Sequence, residues 1–506
     1  MKERVVLLGL DGGEPSLLVP LLAECANLRR LATEGAWGAL RSTVPPLSPP
    51  AWATLLTGVN PGKHGVYDFY HMPFASSGSY VRRLIGSGHW RAPGLWQRTG
   101  AHGLRAGFVN LPMCWPPPAV QGFFVCGLGT PPGDGVAFTH PAALGPALAG
   151  AVLEPGDGTA IGDGRAFLAR AERAGADMLR VAEDLWRAET LDLFCAALTF
   201  PDRFQHYFWR ELQAGEPAIL RAWRTWFAAF DALLGRLLDA AGPETTVVLF
   251  SDHGFGPVDR YFHANRWLAR RGWLRVGDPS RLGTPDGLLT AIDWERTRAY
   301  CVGEYGDVRL NLRGREPRGI VRPGAEAEDL LAAIAADALA LDDGAPGAAV
   351  DAALPGRTLF TGPWAADGPD LVLRLRGHAT LCRIDGRGTD LRDPDGPLFV
   401  PADRPEHYRG AHRATGVLAL WGARVRRPAA PLAADAADLT PTVCHLLGLP
   451  LDRAFDGRVL RACLAEPLAS RPDAFEDTAP PAPAGGYTPE EEARVTEQLR
   501  QLGYVE

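Results

Sequence analysis

The chain has 506 residues, 46% apolar and 22% charged, with 59 acidic residues against 52 basic ones and a formal charge of −7. This balance excludes a chain disordered throughout and disfavours a basic nucleic-acid binder, while the length accommodates one large core with sizeable insertions. The 58 glycines and 44 prolines, about a fifth of the chain, predict a loop-rich fold, and loops are where sites tend to sit.

The amino terminus has an apolar run from Val5 to Leu10 before Asp11 and no small-residue cleavage site, so it reads as a first strand and not as a signal peptide. No stretch approaches the ~18 uninterrupted apolar residues of a membrane span, which makes the cytoplasm the default location. The eight cysteines are scattered, without a Cys-x-x-Cys pair, and read as reduced, mostly buried thiols.

Further along, apolar strands alternate with helical patterns. Leu193 to Phe200 follows a helical segment from about 165 to 187, and Thr245 to Phe250 follows the clearest helix of the sequence. In that helix Leu220, Trp223, Phe227, Phe230, Leu234 and Leu237 step by three and four and share one face. Continuous apolar strands between amphipathic helices predict an α/β fold, a mainly parallel sheet covered on both faces. Residues 70–165, rich in Gly, Pro and Trp, and 275–405, with strand-like pieces at Val308 to Leu312 and Leu371 to Leu375 and an Ala-rich helix near 325–340, read as insertions in one domain over 1–464. The Pro/Ala-rich stretch 465–486 reads as an exposed linker or strap. A terminal helix over 487–506 starts at Thr488-Pro489 with Glu490 to Glu492, carries Val495, Leu499 and Leu502 as its apolar stripe, and ends at Gly503.

In an open parallel sheet, ligands gather at the carboxyl ends of the strands. Here the three clearest strands lead into Asp11-Gly12-Gly13, Asp202-Arg203-Phe204-Gln205-His206, and Ser251-Asp252-His253-Gly254. Three carboxylates crowded at one edge repel unless cations sit between them, and mixed Asp and His ligands suit zinc, manganese or iron better than calcium. The plainer alternative is that each aspartate caps the turn that follows.

A nucleophile candidate is Ser48, set before Pro49 and Pro50 at the start of a helix that Gly58 can end. This predicts Ser48 at an N-cap, either as a capping serine only or as a hydroxyl beside free N–H groups that attract a phosphoryl group. Gly58 to Gly65 is no ATPase loop, because Thr57 stands where its first glycine is needed and His64 replaces the Ser or Thr that would hold magnesium. His64, His71, His263, His407 and His445 read as surface or core residues, and Lys63 as a solvated turn residue.

The ordered set of motifs resembles the alkaline phosphatase superfamily, specifically its type I phosphodiesterase/nucleotide pyrophosphatase branch and a group of predicted bacterial phosphohydrolases or phosphomutases. It runs from Leu10-Asp11-Gly12-Gly13 through the Ser48 to Gly65 block, Pro201 to His206, Ser251 to Gly254 and Gly410-Ala411-His412-Arg413 to Asp438 through Thr442 and Asp456-Gly457. The resemblance implies two divalent metal ions, zinc or alternatively manganese. Asp11, Ser48, Asp252 and His253 would hold one, and Asp202, His206 and His412 the other. It implies Ser48 as the nucleophile of a phosphodiester- or phosphoanhydride-cleaving enzyme, with a phosphoserine intermediate and a small-molecule phosphate ester as substrate. No nucleic-acid duplex is expected as a partner. The alternatives are a phosphomutase of the same fold and a catalytically inactive binding protein. Two positions depart from relatives: Phe69, next to Asp68, stands where the nucleotide pyrophosphatases carry an asparagine that holds the phosphoryl oxygen, and Trp52 stands where sulfatases need an arginine.

Overall fold

A computed structural model describes residues 3–502 apart from 73–77, 134, 156–163, 285, 384–386, 404–408 and 480–484. Gly503 and His407 therefore lie outside the described residues. The strands used below are β1 (Arg4–Leu10), β2 (Ala36–Arg41), β3 (Ala106–Leu111), β4 (Gly122–Cys126), β5 (Thr139–His140), β6 (Leu193–Leu198), β7 (Thr245–Phe250) and β8 (Gly254–Pro257). They continue with β9 (Ala299–Gly303), β10 (Asp307–Leu310), β11 (Val350–Pro355), β12 (Leu371–Leu375), β13 (Gly410–Arg413), β14 (Thr415–Trp421) and β15 (Leu432–Asp435). The helices are α1 (Ser48–Thr57), α2 (Pro61–His64), α3 (Gly164–Ala188), α4 (Phe200–Gln213), α5 (Pro217–Ala240), α6 (Ala325–Leu339) and α7 (Pro489–Gln501).

Among the described residues nine strands form the main sheet, in the order β15-β2-β14-β7-β1-β6-β3-β4-β5. Its centre, β7-β1-β6-β3-β4, is parallel throughout, with Val5 to Leu10 in register against Leu193 to Leu198, while β14 runs antiparallel between β7 and β2. Helices flank the sheet, which is the α/β architecture expected from the apolar strand runs. The stripe read along α5 is buried at Trp223, Phe227, Phe230, Leu234 and Leu237, with Leu220 half-buried.

The segment 70–165 corrects the sequence reading. It supplies β3, β4 and β5 to the main sheet and is no mere decoration. Its Gly, Pro and Trp residues concentrate in the connections, and the short apolar runs Phe108 to Leu111 and Phe123 to Cys126 between them are buried on both faces. By contrast, β9, β10, β12 and β11 form a separate four-stranded sheet over a second hydrophobic cluster that includes Trp267, Tyr300 and Ile334. In the terminal helix, Thr488 and Glu491 form a capping box, and Val495, Leu499 and Leu502 are buried.

One glycine decides how α1 lies on the sheet. A Cβ on Gly9 of β1 would come within 2.3 Å of Trp52 and 2.9 Å of Phe250. Its absence lets the fully buried Trp52 of α1 lie over the carboxyl end of the sheet, edge-on to Phe250 with ring centroids 5.5 Å apart. Gly9→Ala should therefore overpack this contact and destabilise the fold by about 1–3 kcal/mol, read as a lower urea midpoint with an unchanged m-value.

Candidate metal centre and nucleophile

Three neighbouring parallel strands end at one edge and each delivers site residues there. Asp11 directly follows β1. Asp252 and His253 follow β7 after Ser251. Asp202 and His206, one turn apart, stand in the first turns of α4 just beyond β6. His412 arrives by another route: β13 pairs antiparallel with β8, placing His412 opposite Phe255, two residues past His253.

The turn after β1 is clipped to both neighbours. Gly12 N–H donates to Asp252 Oδ1 at 3.2 Å, Gly13 N–H to Ser251 Oγ at 2.8 Å, and Gln205 Nε2 to the Gly12 carbonyl at 2.7 Å. Gly12 adopts φ +68°, and a Cβ there would meet the Asp202 backbone at 3.0 Å. Only glycine permits both the turn and this close approach.

All seven predicted residues converge and are buried, none more than 3% exposed. His253 Nε2 lies 3.1 Å from Ser48 Oγ, 3.4 Å from Asp11 Oδ1, 3.2 Å from Asp252 Oδ2 and 3.9 Å from Asp202 Oδ1. Asp202 Oδ1 lies 3.1 Å from His412 Nε2 and 3.4 Å from His206 Nε2, and those two nitrogens are 3.0 Å apart. Each imidazole is held from behind by a carbonyl: His206 Nδ1 by Gly410, His412 Nδ1 by Pro46 and His253 Nδ1 by Gly254, at 3.0, 2.9 and 3.0 Å. A carbonyl only accepts, so each Nδ1 carries a proton and each Nε2 is presented to the cluster, the arrangement that supports metal-ligating histidines.

The electrostatics show what the cluster lacks. Burial, followed by the nearby Asp11 carboxylate, drives the Asp252 carboxyl well above the usual range. Burial also opposes charge on His253, yet Asp252, Asp11 and Asp202 outweigh it and lift its pKa to about 9. His412 is pushed down to about 3 by burial and by His253. Asp202 is held well below the usual range despite burial, by His206, His412 and Arg203. Asp11 Oδ1 and Asp252 Oδ2 are buried and have no hydrogen-bond partner among the described residues beyond their ion-pair contacts with His253 Nε2. Buried carboxylate oxygens that meet one imidazole nitrogen and no other donor among the described residues fit divalent cations of the zinc or manganese type.

The grouping of candidate ligands differs in detail from the sequence expectation. Two sets have donor atoms mutually within 4.8 Å, Asp11/Asp252/His253 and Asp202/His253/His412. His253 belongs to both because its Nε2 faces Asp11 and Asp202 alike, and its ring stacks on His412 with centroids 3.6 Å apart. His206 falls outside these two sets but stays at hydrogen-bonding range of His412.

Ser48 also needs a correction. Ala51 N–H donates to the Leu47 carbonyl at 3.0 Å, so Leu47 is the cap and Ser48 the first helical residue. Its hydroxyl therefore does not cap α1 but faces His253. The expected set of free N–H groups shrinks as well: Pro49 and Pro50 have none and Ala51 is used, which leaves the Ser48 N–H. Phe69 is buried and brings no amide in place of the missing asparagine, while burial raises the neighbouring Asp68 carboxyl to about 6.

Sequence reasoning missed four supporting residues. Arg203 Nη1 holds Asp202 Oδ2 at 2.5 Å, and Glu154 Oε2 accepts from Arg203 Nε at 2.9 Å, with Asp202 and Arg203 buried and Glu154 half-buried. Trp52 Nε1 donates to Asp11 Oδ2 at 3.4 Å, and Tyr305 Oη accepts the His412 N–H at 3.1 Å. Arg203 was findable, since an arginine adjoining a strand-end aspartate is a ready counter-ion; Glu154 and Tyr305 carry no local signal. Of the other histidines, His64 is a core residue at 2.9 Å from Thr54 Oγ1, and His445 is tied to Asp473 and to the Leu468 carbonyl. Lys63, expected to be solvated, pairs with Asp456 at 2.6 Å.

Two outcomes are expected of metal-binding measurements. Arg203→Met should weaken metal affinity about 10–100-fold, measured by competition with a chromophoric chelator, while circular dichroism keeps the folded signature. A cation must displace the His253 proton, so affinity should rise with pH up to about 9. Calorimetry in buffers of different ionisation enthalpy should then show protons released on binding. In metal-free protein the same group acts with the opposite sense: its raised pKa stabilises the fold fully below about 6.5, and that contribution disappears as pH rises through about 9.

Comparison with known proteins places this geometry. The chain matches the family model described as type I phosphodiesterase/nucleotide pyrophosphatase over residues 5–381. No curated protein matches it in sequence. Among solved structures, phosphonoacetate hydrolase from Sinorhizobium meliloti 1021 in complex with phosphonoformate is similar at a TM-score of 0.58 and 18% identity, covering 88% of this chain and 95% of that one. The same enzyme in complex with phosphonoacetate gives 0.57 at the same identity and coverage. No helix among the described residues is long and apolar enough to cross a membrane. With the family matched across most of its length, the chain belongs to the type I phosphodiesterase/nucleotide pyrophosphatase family of metal-dependent phosphoric ester hydrolases.

Proposed function

We propose that this protein hydrolyses a phosphodiester or phosphoanhydride of a small molecule, with Ser48 as nucleophile and two divalent cations, zinc or manganese, as cofactors. The observation that carries the reading is the Ser48 hydroxyl, buried at the start of α1 and 3.1 Å from His253 Nε2, beside three converging carboxylates. Asp11, Ser48, Asp252 and His253 would hold one cation, and Asp202, His206 and His412 the other, with His253 close enough to serve both. Such cations lower the pKa of a bound hydroxyl and offset charge on a phosphoryl oxygen.

The protein's own groups do the rest. The Ser48 hydroxyl gives up its proton to solvent as Oγ forms a bond to phosphorus, the bond to the leaving oxygen breaks, and the electron pair departs with that oxygen, which takes up a proton from solvent. The Ser48 N–H, at the positive end of α1, is a backbone donor available to the charge that builds on the phosphoryl group. Water then bonds to phosphorus, the bond to Oγ breaks, and a proton from that water returns to Ser48. Arg203 and Glu154 keep one Asp202 oxygen engaged and so direct the other into the site. The phosphonoacetate hydrolase likeness, at 18% identity, supports the fold that carries this chemistry and leaves the substrate to be measured.

Ser48→Ala should lower turnover of bis(4-nitrophenyl) phosphate by about 1000-fold or more, and chelation followed by zinc or manganese should abolish and restore wild-type turnover. A Ser48→Ala variant with full activity would refute the proposal. In heavy-oxygen water the label should enter the released phosphate or monoester. Transfer of an unlabelled phosphoryl group back to a bound acceptor would instead show a mutase.

A further inference from the structure

We infer that a pocket carrying two guanidiniums, lined by the chain just past α2, binds one small oxyanion, a phosphate, phosphonate or carboxylate group, and that in turnover it takes a second anionic group of the substrate. The pocket is a cavity of about 70 Å³ whose lining includes Tyr67, His71, His89, Arg91, Arg309 and Asp367. This space exceeds what one water needs and suits a single oxyanion group, not a nucleobase.

Its charge and donors favour an anion. Arg91 is exposed and stacks over Trp364 with its guanidinium carbon 5.1 Å from the ring centroid, and among the described residues no carboxylate lies within ion-pair distance of it. Arg309 spends one N–H on the Asp367 carbonyl and keeps the others. His71 and His89 lie with ring centroids 4.4 Å apart. His89 Nδ1 accepts the Gly86 N–H at 3.0 Å, so neutral His89 carries its proton on Nε2 as a donor. Against two guanidiniums the lining offers one carboxylate, Asp367, with Asp68 and Asp307 acting on Arg309 from behind, while the two imidazoles serve as neutral hydrogen-bonding groups. Burial chiefly, with His89, Arg91 and Arg83 adding to it, pushes His71 down to about 3, so that its imidazole is neutral.

Two walls join the pocket to the catalytic cluster. The first is the chain that leaves α1 and α2 and lines the pocket from Gly65 through Tyr67 and Tyr70 to His71. It includes Asp68 and Phe69, where the phosphoryl-holding asparagine of relatives is missing. The second is the β9–β10 hairpin. Tyr305 in its turn accepts the His412 N–H, and Arg309 on β10 lines the pocket four residues later. At strand spacing the Cα atoms of Tyr305 and Arg309 lie at most roughly 13 Å apart. The substrate half of this inference rests on the hydrolase reading above; the anion-binding half does not.

The test titrates sulfate into the full-length, metal-loaded chain by calorimetry, for wild type, Arg91→Gln and His89→Gln. It also compares kcat/KM for nitrophenyl phosphodiesters whose second arm ends in a carboxylate or in a neutral amide of equal length. The wild type should bind sulfate at a site that each variant weakens about tenfold or more, and its preference for the carboxylate ester should fall by a similar factor in Arg91→Gln. Sulfate binding weakened with that preference intact would keep the oxyanion pocket and assign it to a free anion, which overturns the substrate half. Superimposable sulfate isotherms for wild type and both folded variants would overturn the whole inference. If wild type turns over no ester while sulfate binding still depends on Arg91, the pocket stands and the hydrolase reading fails.

Discussion

The structure is organised around the mutual repulsion of Asp11, Asp202 and Asp252, three carboxylates brought together at one edge of the sheet and sealed from water. Two unit charges 4 Å apart repel by about 4 kcal/mol at an effective dielectric of 20, so this convergence must be compensated. The protein alone compensates only in part. Arg203 takes one oxygen of Asp202, His253 is driven toward its charged form, and Asp252 is driven toward its neutral form. Oxygens of Asp11 and Asp252 still face inward with the single imidazole nitrogen of His253 shared between them. The residual charge is what the proposed cations, and through them a phosphoryl group, would meet.

The fold supplies the convergence through non-local geometry. Parallel neighbours β7, β1 and β6 end together, so residues more than two hundred positions apart in sequence become adjacent at their carboxyl ends. The remaining parts are close-range fittings. Gly9 admits Trp52, which braces α1 and reaches Asp11; Gly12 admits the backbone of α4 carrying Asp202; and the β8–β13 ladder swings His412 over His253. Each fitting exchanges a side chain, or a strand of the main sheet, for placement at the site.

What the sequence disclosed follows from this geometry. The runs Val5 to Leu10, Leu193 to Leu198 and Thr245 to Phe250 are continuously apolar because both faces of a central parallel strand are buried, and the polar residues just past them stand out for that reason. The stripe of α5 was equally legible from its period. His412 was not, because its position depends on pairing with β8, and a Gly-Ala-His-Arg tetrapeptide carries no trace of its partner; only the family resemblance singled it out. Glu154 was invisible for the same reason. β3 and β4 were hidden among Gly- and Pro-rich connections, whose composition masked two short buried runs. The start of α1 was read one residue late in the cap, since prolines permit a helix to begin at either neighbour.

The most direct test of the central claim is the metal content of the purified full-length protein by inductively coupled plasma mass spectrometry, repeated for Asp252→Asn and His412→Gln. The account predicts about two zinc or manganese ions per wild-type chain, as a paired-cation hydrolase requires, with each folded variant retaining less. A wild-type chain that holds no transition metal after incubation with zinc and manganese, with its fold intact, would contradict it.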